Sequence, residues 1–252
     1  SDFLQSIPDE CGIVRFYNAS DELIYVKRSP QILTAIISKL RPNETSDYSD
    51  FINQLYRINY EITGSSLLAQ LIEANDVLTH QPVFNHGRFS MKTNFGLFLE
   101  QSDRYGEILV LDRRKNAKKN PIMVFGTFYE GLNYLKFLGN KPEFEFVPSL
   151  FQNKKSPFIQ LKNNDVETIS NAIIPNENFI ILDEAATVSQ RLAVLVKQGM
   201  PLVYSFLDAD QSISNFGDEN IDNVFSHFPE MEMVLRSFLV KKRFERLIKL
   251  KS

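Results

Sequence analysis

Gly12-Ile13-Val14-Arg15-Phe16-Tyr17, Asn18-Ala19-Ser20-Asp21-Glu22 and Leu23-Ile24-Tyr25-Val26, read in order, decide the fold of this chain. The first and third runs are β-rich, and the segment between them is turn-like, so the stretch reads as a β-hairpin. C-terminal to it, Ser29-Pro30 reads as an N-cap followed by Pro at the first helical position. Ile32, Leu33, Ile36, Ile37 and Leu40 then recur at helical spacing and mark one buried face. Phe51 to Leu55 continues helically, and Ile58-Asn59-Tyr60-Glu61-Ile62 alternates like a strand. Gly64-Ser65-Ser66 opens a third helix with Leu67, Leu68, Leu71, Ile72 and Leu78 as its apolar stripe, ending before the turn Gln81-Pro82-Val83-Phe84-Asn85. The order ββ-α-(α)-β-α makes an α+β unit.

Further along, Phe95–Leu99 and Glu107–Asp112 read as paired strands and Pro121–Phe125 as a third, with Thr127 capping a helix to about Leu138. Residues 139–157 hold Pro142, Pro148 and Pro157 and a polar run, so an internal boundary is expected near 140–157. Asp165–Ile173 reads as helix. Phe179–Leu182, Leu192–Val196 and Leu202–Leu207 read as an antiparallel meander, and Pro229 to Leu250 as one helix whose basic last turns suit the helix dipole. The expected fold class is α+β. A domain over 1–88, a three-stranded sheet flanked by helices, is followed by a second α+β domain over 89–252 with antiparallel strands.

The 252 residues carry a net charge of −3, distributed unevenly. Residues 1–90 hold 7 basic and 11 acidic side chains, 91–162 hold 12 and 7, and 163–252 hold 9 and 13. Nucleic-acid affinity rests on phosphate neutralisation, so Arg113, Arg114, Lys115, Lys118 and Lys119 are the candidate DNA contacts. The competing reading is a solvated hairpin loop. A single cysteine, Cys11, excludes an internal disulfide and a thiolate zinc cage, and reads as a small buried hydrophobe. Apolar runs are too short for a membrane span, and no signal peptide is visible. A cytoplasmic location is expected. The chain does not open on Met, and an upstream segment is an open expectation. Phosphate-binding, dinucleotide-binding, serine-hydrolase and zinc-protease motifs are absent, which removes those enzyme classes.

Ile7-Pro8-Asp9-Glu10-Cys11-Gly12-Ile13-Val14-Arg15-Phe16-Tyr17, Leu23-Ile24-Tyr25-Val26-Lys27-Arg28-Ser29, and Leu71-Ile72-Glu73-Ala74-Asn75 with His80-Gln81-Pro82-Val83-Phe84-Asn85 resemble, in order and spacing, the motifs of the GIY-YIG nuclease domain, in particular that of the repair subunit UvrC. The later part more loosely resembles the extension that follows this domain in bacterial proteins related to the DNA polymerase III epsilon subunit. The resemblance implies a site in which a Glu holds one divalent metal, Tyr side chains handle protons and a helix Arg neutralises phosphate. Glu73 matches the metal-binding Glu, with Mg²⁺ the implied cofactor. Tyr25 matches the Tyr of the second motif and Asn85 the terminal Asn. The first-motif Tyr is Val14, the second-motif Gly is Lys27, and the helix Arg falls at Leu33. Arg28 or Lys27 is the candidate replacement for that Arg. Val has no hydroxyl and Leu no charge, and such losses typically cost ~10²–10⁴ in rate each.

Three functions follow. The first is a degenerate GIY-YIG module of DNA metabolism and repair, non-catalytic or weakly active, with DNA or a protein of a DNA-processing complex as partner. The second is a divergent nuclease using Tyr25, Glu73, Arg28 and Tyr17, which requires an open cleft where Glu73 and Tyr25 converge. The third is a scaffold without nucleic-acid contact, suggested by the acidic first domain and 21 Phe residues. The ordinary readings are a salt-bridged Glu73, a packed Tyr25 and a turn residue Asn85. His80 and His86 beside the turn, and His227 near a helix end, carry no motif.

Overall fold

β1 (Gly12–Tyr17) and β2 (Leu23–Ser29) form an antiparallel hairpin with Val14 opposite Lys27 and Phe16 opposite Tyr25. The Asn18 side-chain oxygen accepts from the N–H groups of Ser20 and Glu22 and sets the turn. This is a computed structural model that describes residues 2–85, 94–116, 120–142, 144–145, 156–162, 178–208, 213, 216, 223–240 and 244–250. A short helix α1 (Asp2–Ser6) precedes the hairpin, and α2 (Ile32–Leu40) and α3 (Ser46–Gln54) follow it. β3 (Arg57–Ile62) then pairs antiparallel with β1, giving the strand order β2-β1-β3, before α4 (Ser66–His80). The class is α+β, and the first 85 residues carry the expected three-stranded sheet flanked by helices.

Two layers cover this sheet. Val14, Phe16 and Ile24 pack with Ile32 and Ile36 of α2 and Phe51 of α3 in one buried cluster. α4 packs against β1 and β2, and Ile13 and Val26 are fully buried. α4 opens where expected, and Ser65 caps it, its hydroxyl accepting from the N–H groups of Leu67 and Leu68. α2 departs from expectation. It starts at Ile32, and Ser29 instead forms a local turn with Gln31. The N-terminal amide of Thr34 is satisfied by the Asp9 carboxylate, which arrives from across the fold.

Contacts divide the chain into two compact units. One comprises Ser1–Ser90, Glu177–Phe238 and Arg243–Ser252; the other comprises Met91–Asn176 and Leu239–Lys242. In the second unit, β4 (Phe95–Ser102), β5 (Gly106–Arg113), β6 (Met123–Phe125), β7 (Phe144–Glu145) and β8 (Phe158–Leu161) form a sheet in the order β6-β4-β5-β8-β7. α5 (Phe128–Leu138) carries a full capping box between Thr127 and Glu130 and buries Tyr134, Leu135 and Leu138 on that sheet. Phe144 sits in the same core, so part of the Pro-rich stretch is built into this unit. The helix expected over Asp165–Ile173 lies outside the described residues.

In the first unit, β9 (Phe179–Glu184), β10 (Gln190–Lys197) and β11 (Met200–Asp208) form the expected meander. β12 (Asn223–Val224) and β13 (Arg246–Lys249) complete a sheet in the order β12-β11-β10-β9-β13. The single C-terminal helix is corrected: α6 (Pro229–Val240) ends early and β13 pairs with β9. The physical reason is the pairing itself, since Leu247 and Ile248 align with Ile181 and Ile180 of a buried strand. Arg246 and Lys249 therefore lie on a strand and not at a helix end.

This sheet grips α4 from the start of the helix. Gly64 takes a φ of 66°, and a Cβ there would lie 2.1 Å from the Ala185 backbone, so glycine alone lets the chain approach. The Ser65 hydroxyl donates to Asp183 Oδ2 at 2.5 Å, and the Asn75 side chain accepts from the Ser226 N–H at 2.8 Å. Burial pushes the Asp183 carboxyl above its ordinary range, against the opposing effect of the Ser65 hydrogen bond. The folded state thus holds this proton more tightly than the unfolded chain, and stability falls as pH rises from about 4 through the raised value. Asp183→Asn is expected to be more stable than wild type at neutral pH, with the gap closing on acidification. Thermal melts of both proteins between pH 4 and 8 measure it, and a gap that widens as pH falls contradicts the assignment.

Candidate functional site at the outer edge of β2

β2 is an edge strand, and its outward backbone groups need partners. The Val26 N–H donates to Asn85 Oδ1 at 2.8 Å, and Asn85 Nδ2 donates to the Val26 carbonyl at 2.8 Å. Two residues on, the Arg28 N–H donates to Glu73 Oε1 at 3.1 Å. The Arg28 guanidinium returns on the same carboxylate, Nε to Oε2 at 3.0 Å. Glu73 is 2% exposed and the Arg28 side chain 43%. The arrangement follows from local sequence: α4 carries Glu73 on its third turn, Gln81 ends the helix in the left-handed region, and a 3₁₀ turn over Val83–Asn85 swings the Asn85 amide onto the strand.

Tyr25, also on β2, packs among aromatic rings. Its ring packs against Phe16 and Phe51, with centroids 5.7 and 6.1 Å apart. Val14 is fully buried in the same cluster, and the partly buried Leu33 packs against it, so both positions serve hydrocarbon packing. Lys39 was not singled out by the sequence reading. Its amine lies 4.1 Å from the Tyr25 ring centre and 4.2 Å from that of Phe51. A signal was present, because Lys39 continues the buried Ile32 and Ile36 stripe at helical spacing.

A second charged cluster also escaped the sequence reading. Arg15 on β1 pairs with Asp76 at 2.6 Å and Glu61 at 2.9 Å. Burial alone would lower the Arg15 pKa, but the two carboxylates outweigh it and hold it raised. Burial keeps Asp76 above the carboxylate range despite Arg15. Burial, then the Glu61 charge, pushes Tyr204 of β11 up to about 12. Arg15, Tyr17, Asp21, Glu22, Asp76 and His80 help line a polar depression of about 570 Å³. Tyr17 itself is stacked by Arg57, 4.1 Å from its ring centre.

In the second unit, Arg113 ends β5 with its guanidinium 5.7 Å from the Phe95 ring centre, and Arg114 and Lys115 are exposed on the next turn. Lys118, Lys119 and His86 lie outside the described residues. His227 is exposed just before α6.

A divalent ion needs oxygen ligands open to it and to its water shell. Here both Glu73 oxygens face N–H donors of Arg28, one of them cationic, and the group is almost wholly buried. Among the described residues no three His, Cys, Asp or Glu side chains gather into a metal-binding group. As arranged, these residues do not fit the metal that the resemblance implies. Among the described residues no helix is long and apolar enough to cross a membrane.

No protein-family model matches the chain. It is 27% identical over 172 residues to UvrABC system protein C of Actinobacillus succinogenes, covering 63% of this chain and 26% of that protein. It is 32% identical over 84 residues to Excinuclease cho of Escherichia coli strain K12, covering 33% of this chain and 28% of that protein. The chain thus spans about a quarter of the length of the curated relatives it matches. The GIY-YIG N-terminal endonuclease domain of UvrC from Thermotoga maritima, solved bound to magnesium, aligns at 20% identity and a TM-score of 0.30, over 33% of this chain and 92% of that one. The N-terminal part of this chain has a UvrC-like GIY-YIG fold.

Asn85 is expected to be structurally decisive. Asn85→Ala strands the Val26 N–H and carbonyl in a buried setting and should cost about 2–6 kcal/mol, from ~1–3 kcal/mol per orphaned group. Urea denaturation measures it, and a loss below about 0.5 kcal/mol contradicts the clamp.

Proposed function

We propose that this chain is a nuclease-like module of DNA repair and processing that binds DNA and does not cut it. The observation carrying this reading is the closure of Glu73 onto the β2 edge by Arg28. Hydrolysis of a phosphodiester calls for an activated water and charge stabilisation at the phosphate. A buried carboxylate already neutralised by a guanidinium offers neither a free base nor an open metal ligand. Val14 adds no hydroxyl, and Leu33 adds no charge. The divergent-nuclease alternative needs an exposed Glu73, and the 2% exposure disfavours it.

Relatives named as a UvrABC subunit and an excinuclease support DNA as the partner. The division of labour proposed is a nuclease-like domain over 1–88 with 89–252 as its extension, in a cytoplasmic protein. Arg113, Arg114 and Lys115, in the segment with excess positive charge, are the proposed backbone contacts of the extension.

A nicking assay on supercoiled plasmid and on branched duplexes with Mg²⁺ or Mn²⁺ tests the non-cutting claim. The expected result is no metal-dependent product above that of Glu73→Gln. Robust cutting that Glu73→Gln abolishes overturns it.

A further inference from the structure

α5 buries Tyr134, Leu135 and Leu138 against its sheet. At about 100° per residue, Tyr129, Asn133 and Lys136 fall on the opposite side of the helix, and all three are exposed. A polar outer face is ordinary for such a helix. The ring at its head is not explained by packing, because Tyr129 is 74% exposed and adds little to the core.

Tyr129 is also not an isolated surface ring. It meets Phe128 with centroids 6.1 Å apart and planes at 78°, Phe128 meets Phe95 at 5.7 Å and 67°, and the Arg113 guanidinium lies 5.7 Å from the Phe95 centre. Register holds Phe95 and Arg113 together, since they face each other across β4 and β5. Phe128 and Tyr129 meet edge to face, so Phe128 does not lie flat over the tyrosine ring, which stays open to solvent. Arg114 and Lys115 continue from Arg113 on the next turn, and Lys136 sits about 10 Å along the helix axis from Tyr129. Glu130, the acid of the first turn of α5, is taken up by the N–H groups of Gly126 and Thr127. An open ring is thus continuous with a rim of cations, in the segment 91–162 that holds 12 basic and 7 acidic side chains.

We propose that Tyr129 is a stacking platform for an unpaired base of single-stranded DNA, with Arg113, Arg114, Lys115 and Lys136 along the flanking phosphates. This deepens the reading of a non-cutting DNA module and rests on it: it names the form of DNA that the extension takes.

Physical arguments select the unpaired strand. In a duplex each base is covered on both faces by its neighbours, so a ring on a convex helix surface finds no base to stack against. An unpaired base offers its face whatever its identity, and such stacking gives affinity without sequence readout. The cations attract the backbone of either form through the same phosphate charge. The ring therefore supplies the preference and the cations the general affinity. Cations beside the ring also favour a polyanion over an apolar protein surface, whose interface cores are depleted of charged side chains.

The test uses the full chain. A fluorescein-labelled oligothymidine strand and a duplex of equal length are titrated by anisotropy across a salt series. The proteins are wild type, Tyr129→Ala, Tyr129→Phe and the Arg113→Ala/Arg114→Ala/Lys115→Ala variant, and thermal melts verify each fold. Tyr129→Ala should bind the strand about tenfold more weakly, with an unchanged salt slope and unchanged duplex affinity. Tyr129→Phe keeps the ring face and should restore strand binding. The triple variant should weaken on both forms, its slope on the strand smaller by roughly 2, at about 0.7 per lost phosphate contact. The chain has no tryptophan, so Tyr129→Trp supplies a single indole whose fluorescence the strand should quench and the duplex should not. A folded Tyr129→Ala protein with wild-type strand affinity overturns the platform, as does equal weakening on strand and duplex. Loss confined to the triple variant then leaves the DNA-binding reading standing, whereas a wild type that binds neither form sinks both. Sedimentation velocity supplies one more outcome: an oligomer that Tyr129→Ala dissociates assigns the ring to a second copy of this chain and overturns the proposal.

Discussion

Everything at the front of this molecule depends on how the unpaired edge of β2 is closed. An exposed edge strand presents backbone donors and acceptors that must find partners or invite another strand. Here α4 and the turn after it supply two side chains for that purpose. Asn85 mimics a neighbouring strand at Val26, donating and accepting at 2.8 Å. Glu73 takes the Arg28 N–H, and its second oxygen takes the Arg28 guanidinium. The edge, the helix and the turn are thereby fastened by side-chain groups, and the helix is in turn fastened at its start by Ser65 and Asp183.

That closure has a chemical consequence. The Glu73 carboxylate, carried by α4 and buried against β2, has both oxygens taken up by N–H donors of Arg28, which is what makes its burial tolerable. On the face of the sheet bearing Tyr25, Val14 is buried hydrocarbon, Leu33 of α2 packs on it, and the Lys39 amine lies against the Tyr25 ring.

Much of this was legible in the sequence for identifiable reasons. The hairpin, α4 and the β9–β11 meander announce themselves through local periodicity and caps. Thr127 caps its helix as read, and Glu130 three residues on completes a capping box. What sequence could not reveal depends on partners distant in the chain. Asp9 caps a helix 25 residues away, so the Ser29-Pro30 signal gave the wrong start. The Arg28–Glu73 pair spans 45 residues, and its burial follows only from the packing of α4 on β2. Residues Arg246–Lys249 lie in an apolar and basic run that satisfies helical spacing, yet pairing with β9 outweighs that preference. For the site, the sequence named Glu73, Asn85 and Arg28 but neither the Arg28–Glu73 pair nor the bonds of Asn85 to the Val26 backbone. It passed over Lys39 and the Arg15–Asp76–Glu61 cluster, whose members sit on three separate elements.

The most direct test of Glu73 as a structural group is urea denaturation of wild type and Glu73→Gln, each with and without millimolar Mg²⁺. The account predicts that Glu73→Gln loses about 1–2 kcal/mol, a value reduced by the partial exposure of Arg28, and that Mg²⁺ moves neither midpoint. A wild-type midpoint that climbs with Mg²⁺, by the linkage a native-state ligand must show, and a climb that vanishes in Glu73→Gln, would contradict it.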